Sequence, residues 1–308
     1  MMSAKTTPSH HGVKGEQNGR YPNATMKLLM ERASCRNFSK RPVSRTVLSR
    51  ILEAGTHAPT GGNLQPYSII KIESTRKRAK LAKMCGQSFM AKAPVHLLFC
   101  IDYHRLQRWA EIEIAPFSAT SSFRHFWIAF QDTIISAQNI CTAADSLGLG
   151  SVYIGTIMEF IPETRVMFKL PKGVLPVVLL CLGYPAIKLL VRRKLGVEAV
   201  VHDERYREMS DRTLQKVFQK KYPNVRLEVT RDRLTRIRTV CSRVHGSAFA
   251  KKCIETIKQN GYINMVQRYF GLHYVADLMP TDNEVFIRTI KRSGFTWFEK
   301  YRPKKKRS

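Results

Sequence analysis

Acidic residues are scarce: 23 Asp plus Glu stand against 52 Lys plus Arg in 308 residues, a formal charge of +29. That imbalance favours anionic partners such as phosphorylated cofactors, nucleic acid or an acidic membrane surface, and says nothing about fold. Also missing is any apolar run of the roughly 18 to 20 residues that a membrane helix needs. The polar N-terminus, with Lys5, His10, His11 and Lys14, has no apolar stretch of the secretory type, so a soluble, cytoplasmic protein is expected. Seven cysteines, at positions 35, 85, 100, 141, 181, 241 and 253, form no C-x-x-C pair, which suits reduced thiols better than a disulfide framework. There is no phosphate-binding P-loop, no G-x-S-x-G nucleophile elbow, no H-E-x-x-H, and no G-x-G-x-x-G following a strand. What is present is 44% apolar residues, enough for a core and too many for a wholly disordered or collagen-like chain.

Residues 1–22 are Ser, Thr, Pro, Gly, His and Gln with almost no large apolar side chains, and read as a flexible tail. From residue 23 the pattern changes. Residues 24–32 read as a short helix, and Ser44 caps a second in which Val47, Leu48, Ile51 and Leu52 recur on one face until Pro59. Strands are expected at 67–72, 95–101, 151–154 and 174–182, with a helix over 130–147 ended by Gly148 and another opened by Pro162. This gives an α/β or α+β domain over 23–210. Residues 211–308 differ: they read as mainly helical, over 231–244, 248–259 and from a capping box at 281–284. Residues 215–308 hold 22 Lys plus Arg and 7 Asp plus Glu, and 22 − 7 is +15, about half the total charge.

Three segments carry the chemistry. Arg32, Ser34 and Arg36 place two guanidiniums and a hydroxyl within five residues, a compact set of anion donors. In so basic a chain that cluster alone reads more readily as a solvated face. The loop Pro59-Thr60-Gly61-Gly62-Asn63-Leu64-Gln65-Pro66 lets backbone approach a ligand closely and adds two carboxamides for a heterocycle with alternating donor and acceptor edges. Gly148-Leu149-Gly150-Ser151-Val152-Tyr153-Ile154-Gly155 runs from a helix end through a strand to a glycine whose N–H could face a planar ring, although simple punctuation would give the same pattern.

In this order and at these separations the segments resemble the nitroreductase family of FMN-dependent oxidoreductases. Arg32-Ala33-Ser34-Cys35-Arg36-Asn37-Phe38 is similar to its R-x-S-x-R-x-F signature, and residues 58–66 to its A-P-S-G-G-N-x-Q-P-W loop. Gln131-Asp132 through Asn139 and residues 148–155 resemble its central helix and G-L-G-S-x-x-I-G turn, and residues 182–185, 192–194 and 200–202 its closing strand and basic segment. Thr60 stands where Ser is commoner and Tyr67 where Trp is usual. The likeness covers residues 24–207.

The resemblance implies an α+β fold with a central mixed or antiparallel sheet flanked by helices, an intertwined homodimer, and a basic, mainly helical C-terminal extension. It implies that Arg32, Ala33, Ser34 and Arg36 hold the FMN phosphate and ribityl region, that Arg192 and Arg193 complete the phosphate grip, and that Ile154 and Gly155 offer backbone donors near the ring. Pro59, Thr60, Asn63 and Gln65 would reach the flavin of the partner subunit. The implied activity is hydride transfer from NAD(P)H through FMN to an oxidised acceptor such as a nitroaromatic or quinone, in ping-pong order, with no catalytic side chain because the cofactor carries the chemistry. Alternatives on the same fold are dehalogenation, dehydrogenation or consumption of reduced flavin. An alternative from another class is nucleic-acid binding through residues 211–308.

Other residues invite weaker expectations. Trp109, Phe117, Phe123, Phe126 and Trp127 could stack on a planar acceptor, though core or dimer packing is the commoner use. Cys241, His245 and Cys253 fit no zinc spacing and lack a fourth ligand, so no metal is expected. Cys35, between two arginines, is expected to be slightly acidified.

Overall fold

The computed structural model describes residues 21–302. The expected N-terminal tail therefore lies outside the described residues except for Tyr21 and Pro22, as does most of the terminal basic run. The chain divides into two compact units, residues 1–191 with 289–308, and residues 192–288.

In the first unit, α1 (Ala24–Glu31) and α2 (Arg45–Thr56) lead into β1 (Tyr67–Ile72), α3 (Thr75–Met84) and β2 (Val95–Asp102). Then come α4 (Tyr103–Ile112), the long α5 (Phe123–Ser146), β3 (Gly150–Ile154), α6 (Ile161–Phe168) and β4 (Val174–Gly183). The strands form one antiparallel sheet in the order β1-β2-β4-β3. Of the two expected arrangements the antiparallel one is found, and the parallel element is a single bridge between Ser34 and Ser151.

The central strands β2 and β4 are buried along their whole length, as their unbroken apolar sequences require of strands covered on both faces. Val95, Leu97, Phe99 and Ile101 point to the layer of α2 and α5, whereas Leu98 and Cys100 point to the layer of Leu81, Met90 and Ile157. A bulge lets Pro176 sit in a central strand: Phe99 faces Val178 and Cys100 faces Pro176, so Val177 has no partner, and Val177 and Val178 both turn to the α5 side.

α5 fixes the site. Its inner stripe is small (Ala129, Thr133, Ser136, Ala137, Cys141, Ala144), so α2 and the sheet come close. Ser136 Oγ donates to the Gly55 carbonyl at 2.9 Å and Asn139 Nδ2 to that of Ala54 at 3.3 Å. The helix begins at Phe123, capped by Ser122, two turns before the expected start. Phe123, Phe126 and Trp127, three of the five aromatics singled out in the sequence, thus belong to its first turns.

Phe126 lies 5.5 Å from the Phe295 ring and 5.4 Å from that of Trp297, and Phe117 lies 5.9 Å from that of Tyr103. Trp109, Phe123 and Trp127 stay more than half exposed. Phe295 is fully buried in the first unit's main core. That aromatic plug joins residues 289–302 to the first unit, so the compact units break at 191 and 288 where the sequence places a boundary at 210.

In the second unit, α7 (Asp211–Lys221) is followed by α8 (Arg231–His245) and α9 (Ser247–Asn260), then α10 (Met265–Arg268). α11 (Asn283–Arg292) crosses the division. Ile237, Ile254, Ile257 and Ile263 make its core, with Cys241 and Cys253 packed against them. Residues 192–288 carry 20 Lys plus Arg and 11 Asp plus Glu, and 20 − 11 is +9. That is no more than the share of +29 their length would give, so the basic excess belongs to no single unit. Among the described residues no helix is long and apolar enough to cross a membrane.

Candidate functional site

Two of the three sequence motifs meet at one edge of the sheet. The Cys35 N–H donates to the Ser151 carbonyl at 2.9 Å, Ser34 bridges Ser151, the Ser39 N–H donates to the Tyr184 carbonyl at 2.8 Å, and the Ala186 N–H to that of Asn37 at 2.9 Å. The segment from Arg32 to Ser39 is therefore stitched to the start of β3 and the end of β4. Gly150 makes this possible: a Cβ there would sit 2.6 Å from Cys35 Cβ and 3.1 Å from Pro185 Cγ.

Arg32, at the end of α1, turns its guanidinium into this junction. Nη2 donates to Ser151 Oγ at 3.2 Å and approaches Cys141 Sγ at 3.9 Å, Nε lies 3.7 Å from Asp145 Oδ2, and the Tyr153 ring is 6.0 Å away. Arg32 Nε and Asp145 Oδ2 are both buried without a hydrogen bond. Burial raises the Asp145 carboxyl to about 6, with the Arg32 charge holding it down. Ala33 is half-buried, and Ser34 and Arg36 are exposed beside this junction. Cys35 is fully buried and its thiol donates to the Asn37 carbonyl. Burial pushes that thiol up, which corrects the expectation of an acidified Cys35: desolvation outweighs its neighbours.

From Ser151 the strand runs to Ile154, which is buried, and Gly155, which is exposed at the start of a 3-10 turn. Four residues of strand put these ends about 13 Å apart. A Cβ on Gly155 would meet nothing within 4 Å, so open space adjoins this backbone. Gln87 Nε2 donates to Thr156 Oγ1 at 3.3 Å, adding a carboxamide the sequence reading missed. The signal available was Gly86, at φ +62°, turning the chain directly after α3 and before Gln87.

The loop at 59–65 stands elsewhere. The Gly61 N–H donates to both Asp132 oxygens, at 3.2 and 3.1 Å. Gly62, Asn63 and Gln65 take left-handed φ of 61°, 55° and 48°. Gln65 Nε2 donates to the Thr56 carbonyl at 2.9 Å, and the Gln65 N–H to Thr60 Oγ1 at 3.2 Å. Pro59 and Asn63 are exposed, and Asn63 offers its carboxamide without a hydrogen bond among the described residues. Asp132 and Asp145 are thirteen residues apart on α5, about 20 Å of helix. Within one chain the loop and the Arg32 junction are thus not brought together. Arg192 and Arg193 open the second unit, both exposed, and Arg193 Nη1 donates to the Lys220 carbonyl at 3.4 Å.

These features define an α+β protein with an arginine and serine junction at one end of a short strand and exposed backbone at the other. Residues 29–184 match the model of the nitroreductase family, and the chain belongs to that family. It is 35% identical over 191 residues, 62% of this chain and 78% of the relative, to an oxygen-insensitive NADPH nitroreductase of Salmonella typhimurium. It is 29% identical over 221 residues, 69% and 90% of the two chains, to an NADPH-flavin oxidoreductase of Vibrio harveyi. Among solved structures it resembles NfrA2 of B. megaterium, with a TM-score of 0.68 at 25% identity over 90% of this chain and 100% of that one. It also resembles the NADPH:FMN oxidoreductase of Vibrio harveyi complexed with NAD+, with a TM-score of 0.60 at 31% identity over 65% and 86%.

Proposed function

We propose that this chain is an FMN-dependent NAD(P)H oxidoreductase of the cytoplasm, working as a homodimer, that passes electrons in ping-pong order to a planar oxidised acceptor such as a nitroaromatic or quinone. The observation that carries the reading is the stitching of Arg32-Ala33-Ser34 to the strand that leads into Gly155. It gives one continuous edge with cationic and hydroxyl donors at one end and open space over a glycine at the other. A flavin mononucleotide has the same polarity, a phosphate joined by a polyol to a planar ring. The relatives named for FMN, flavin and NADPH support the same cofactor and donor.

The residues present fit that group. Arg32, Ser34 and Arg36 would hold the phosphate by charge-assisted hydrogen bonds. The backbone at Ile154 and Gly155, with Gln87 beside them, would meet the ring. About 20 Å of α5 keeps Pro59, Thr60, Asn63 and Gln65 from their own Arg32 junction, which supports the same loop of a second copy serving that site. FMN when bound supplies the two-electron exchange between nicotinamide and acceptor. The chain's part is placement: its cations would hold the phosphate, and backbone N–H groups near Gly155 would stabilise negative charge on a reduced ring.

The test is an absorption spectrum with a kinetic assay. Purified protein, or apoprotein given FMN, should be yellow, should bleach anaerobically on NADPH or NADH, and should give parallel double-reciprocal lines when donor and quinone are varied. A colourless protein that FMN cannot reconstitute would overturn the reading.

A further inference from the structure

Asp145 is an awkward residue for this fold. It lies in the last turn of α5, where the helix presents its negative end, and its carboxylate is largely removed from water, with 13% of the side chain exposed. Both circumstances disfavour the charged form. The cation that acts on it is Arg32, whose Nε approaches to 3.7 Å without forming a hydrogen bond. Nothing in the packing of α5 needs a carboxylate there, since the stripe that meets the sheet is made by Ala137, Ile140, Cys141 and Ala144.

The same guanidinium is held on a second side. Nη2 is bound by Ser151 Oγ, and Ser151 is fully buried and tied through its carbonyl to Cys35. Between them Asp145 and Ser151 engage the Nε and Nη2 edge of Arg32. Nη1 makes no hydrogen bond among the described residues. An arginine whose inward edge is fixed in this way, with Nη2 donating to both Ser151 Oγ and Cys141 Sγ, has lost much of its rotamer freedom before a ligand arrives, and Nη1 is left to donate to an oxyanion.

We infer that Asp145 is a positioning residue: by holding the Nε edge of Arg32 it orients the guanidinium for the phosphate of the flavin nucleotide, and it thereby sets the preference for FMN over riboflavin. The inference rests on the FMN-binding reading above. Asp145 touches no part of the ligand and acts only through Arg32. Its effect is therefore concentrated at the phosphate end, and affinity for the ring does not depend on it.

The experiment uses full-length apoprotein at pH 8, where Asp145 is ionised, and measures the dissociation constants of FMN and riboflavin by quenching of flavin fluorescence. Wild type should favour FMN. Asp145→Asn should reduce the ratio of the two constants about tenfold while leaving riboflavin binding within about twofold, and Asp145→Glu, which keeps the carboxylate, should recover most of that ratio. Circular dichroism melting checks that the variants are folded, and Asp145→Ser serves with the same expectation if the Asn variant does not fold. An unchanged ratio in the carboxylate-free variant, or equal weakening of both flavins, would make Asp145 a structural residue and overturn the inference. If wild type binds neither flavin, it is the FMN reading itself that falls.

Discussion

The backbone N–H of Gly61 is shared by both oxygens of Asp132, at 3.2 and 3.1 Å, and this one contact anchors the glycine loop to the middle of α5. Asp132 is 4% exposed, and burial raises its carboxyl while the Gly61 N–H opposes the rise. Asp132→Ala should cost about 1 to 3 kcal/mol in urea unfolding, the usual penalty for losing a charged hydrogen-bond acceptor from a buried site. Asp132→Asn, which keeps one acceptor oxygen, should cost less. Equal stability of wild type and the Ala variant would show that the loop is held by other contacts.

Gly150 is a second sensitive point. Cys35 Cβ is bonded to backbone and cannot swing away from a methyl placed 2.6 Å from it. Gly150→Ala should destabilise the fold by about 1 to 3 kcal/mol and weaken flavin binding together, because relief requires Arg32–Cys35 to separate from β3. Thermal melting and flavin titration on one preparation would check whether the losses coincide.

Phe295 is fully buried among Tyr103 and Phe126, with ring centroids 6.4 and 5.5 Å away. Phe295→Ala should cost about 3 to 5 kcal/mol, the usual range for emptying an aromatic core position. Calorimetry should show the transition of the first unit moving to lower temperature. A change under about 1 kcal/mol would mean that the C-terminal plug adds little.

Asp145 makes stability depend on pH in a definite direction. Its carboxyl stands at about 6 in the fold against 3.8 without the fold's influence, so the folded chain binds this proton more readily. The group therefore favours the fold at low pH and opposes it increasingly as pH rises from about 4 through 6. Asp145→Asn should leave stability near pH 4 unchanged and raise it at pH 8 by about 1 to 3 kcal/mol, the unpaired Arg32 charge offsetting part of the gain. Denaturation at both pH values measures the difference.

The four strands, the Ser44 start, the Gly148 stop and the helices at 231 and 247 were legible because apolar runs and turn residues mark them directly. α3 and α4 were not: Thr75–Met84 buries only Leu81 and Ala82, and Tyr103–Ile112 only Tyr103 and Leu106, too few positions for a period to stand out. Their starts are set instead by the side chains of Ser74 and Asp102. Within the site the motifs were readable as motifs, yet sequence order gives no distance. That Arg32 meets Asp145 and Cys141, that Gln87 comes beside Thr156, and that the glycine loop stands a helix length away are consequences of how α5 lies across the sheet. Cys35 shows the same limit: two arginines flank it in sequence, and burial decides its chemistry.

The rigid span of α5 has one more implication for the homodimer proposed above. If each pocket draws its phosphate grip from one copy and its glycine loop from the other, two chains ruined at these two separate points along α5 can rescue each other. Co-expressing a chain crippled at Arg32 with one crippled at Asp132 would leave one pocket carrying both defects and one carrying neither, so the mixture should turn over where each parent alone is silent.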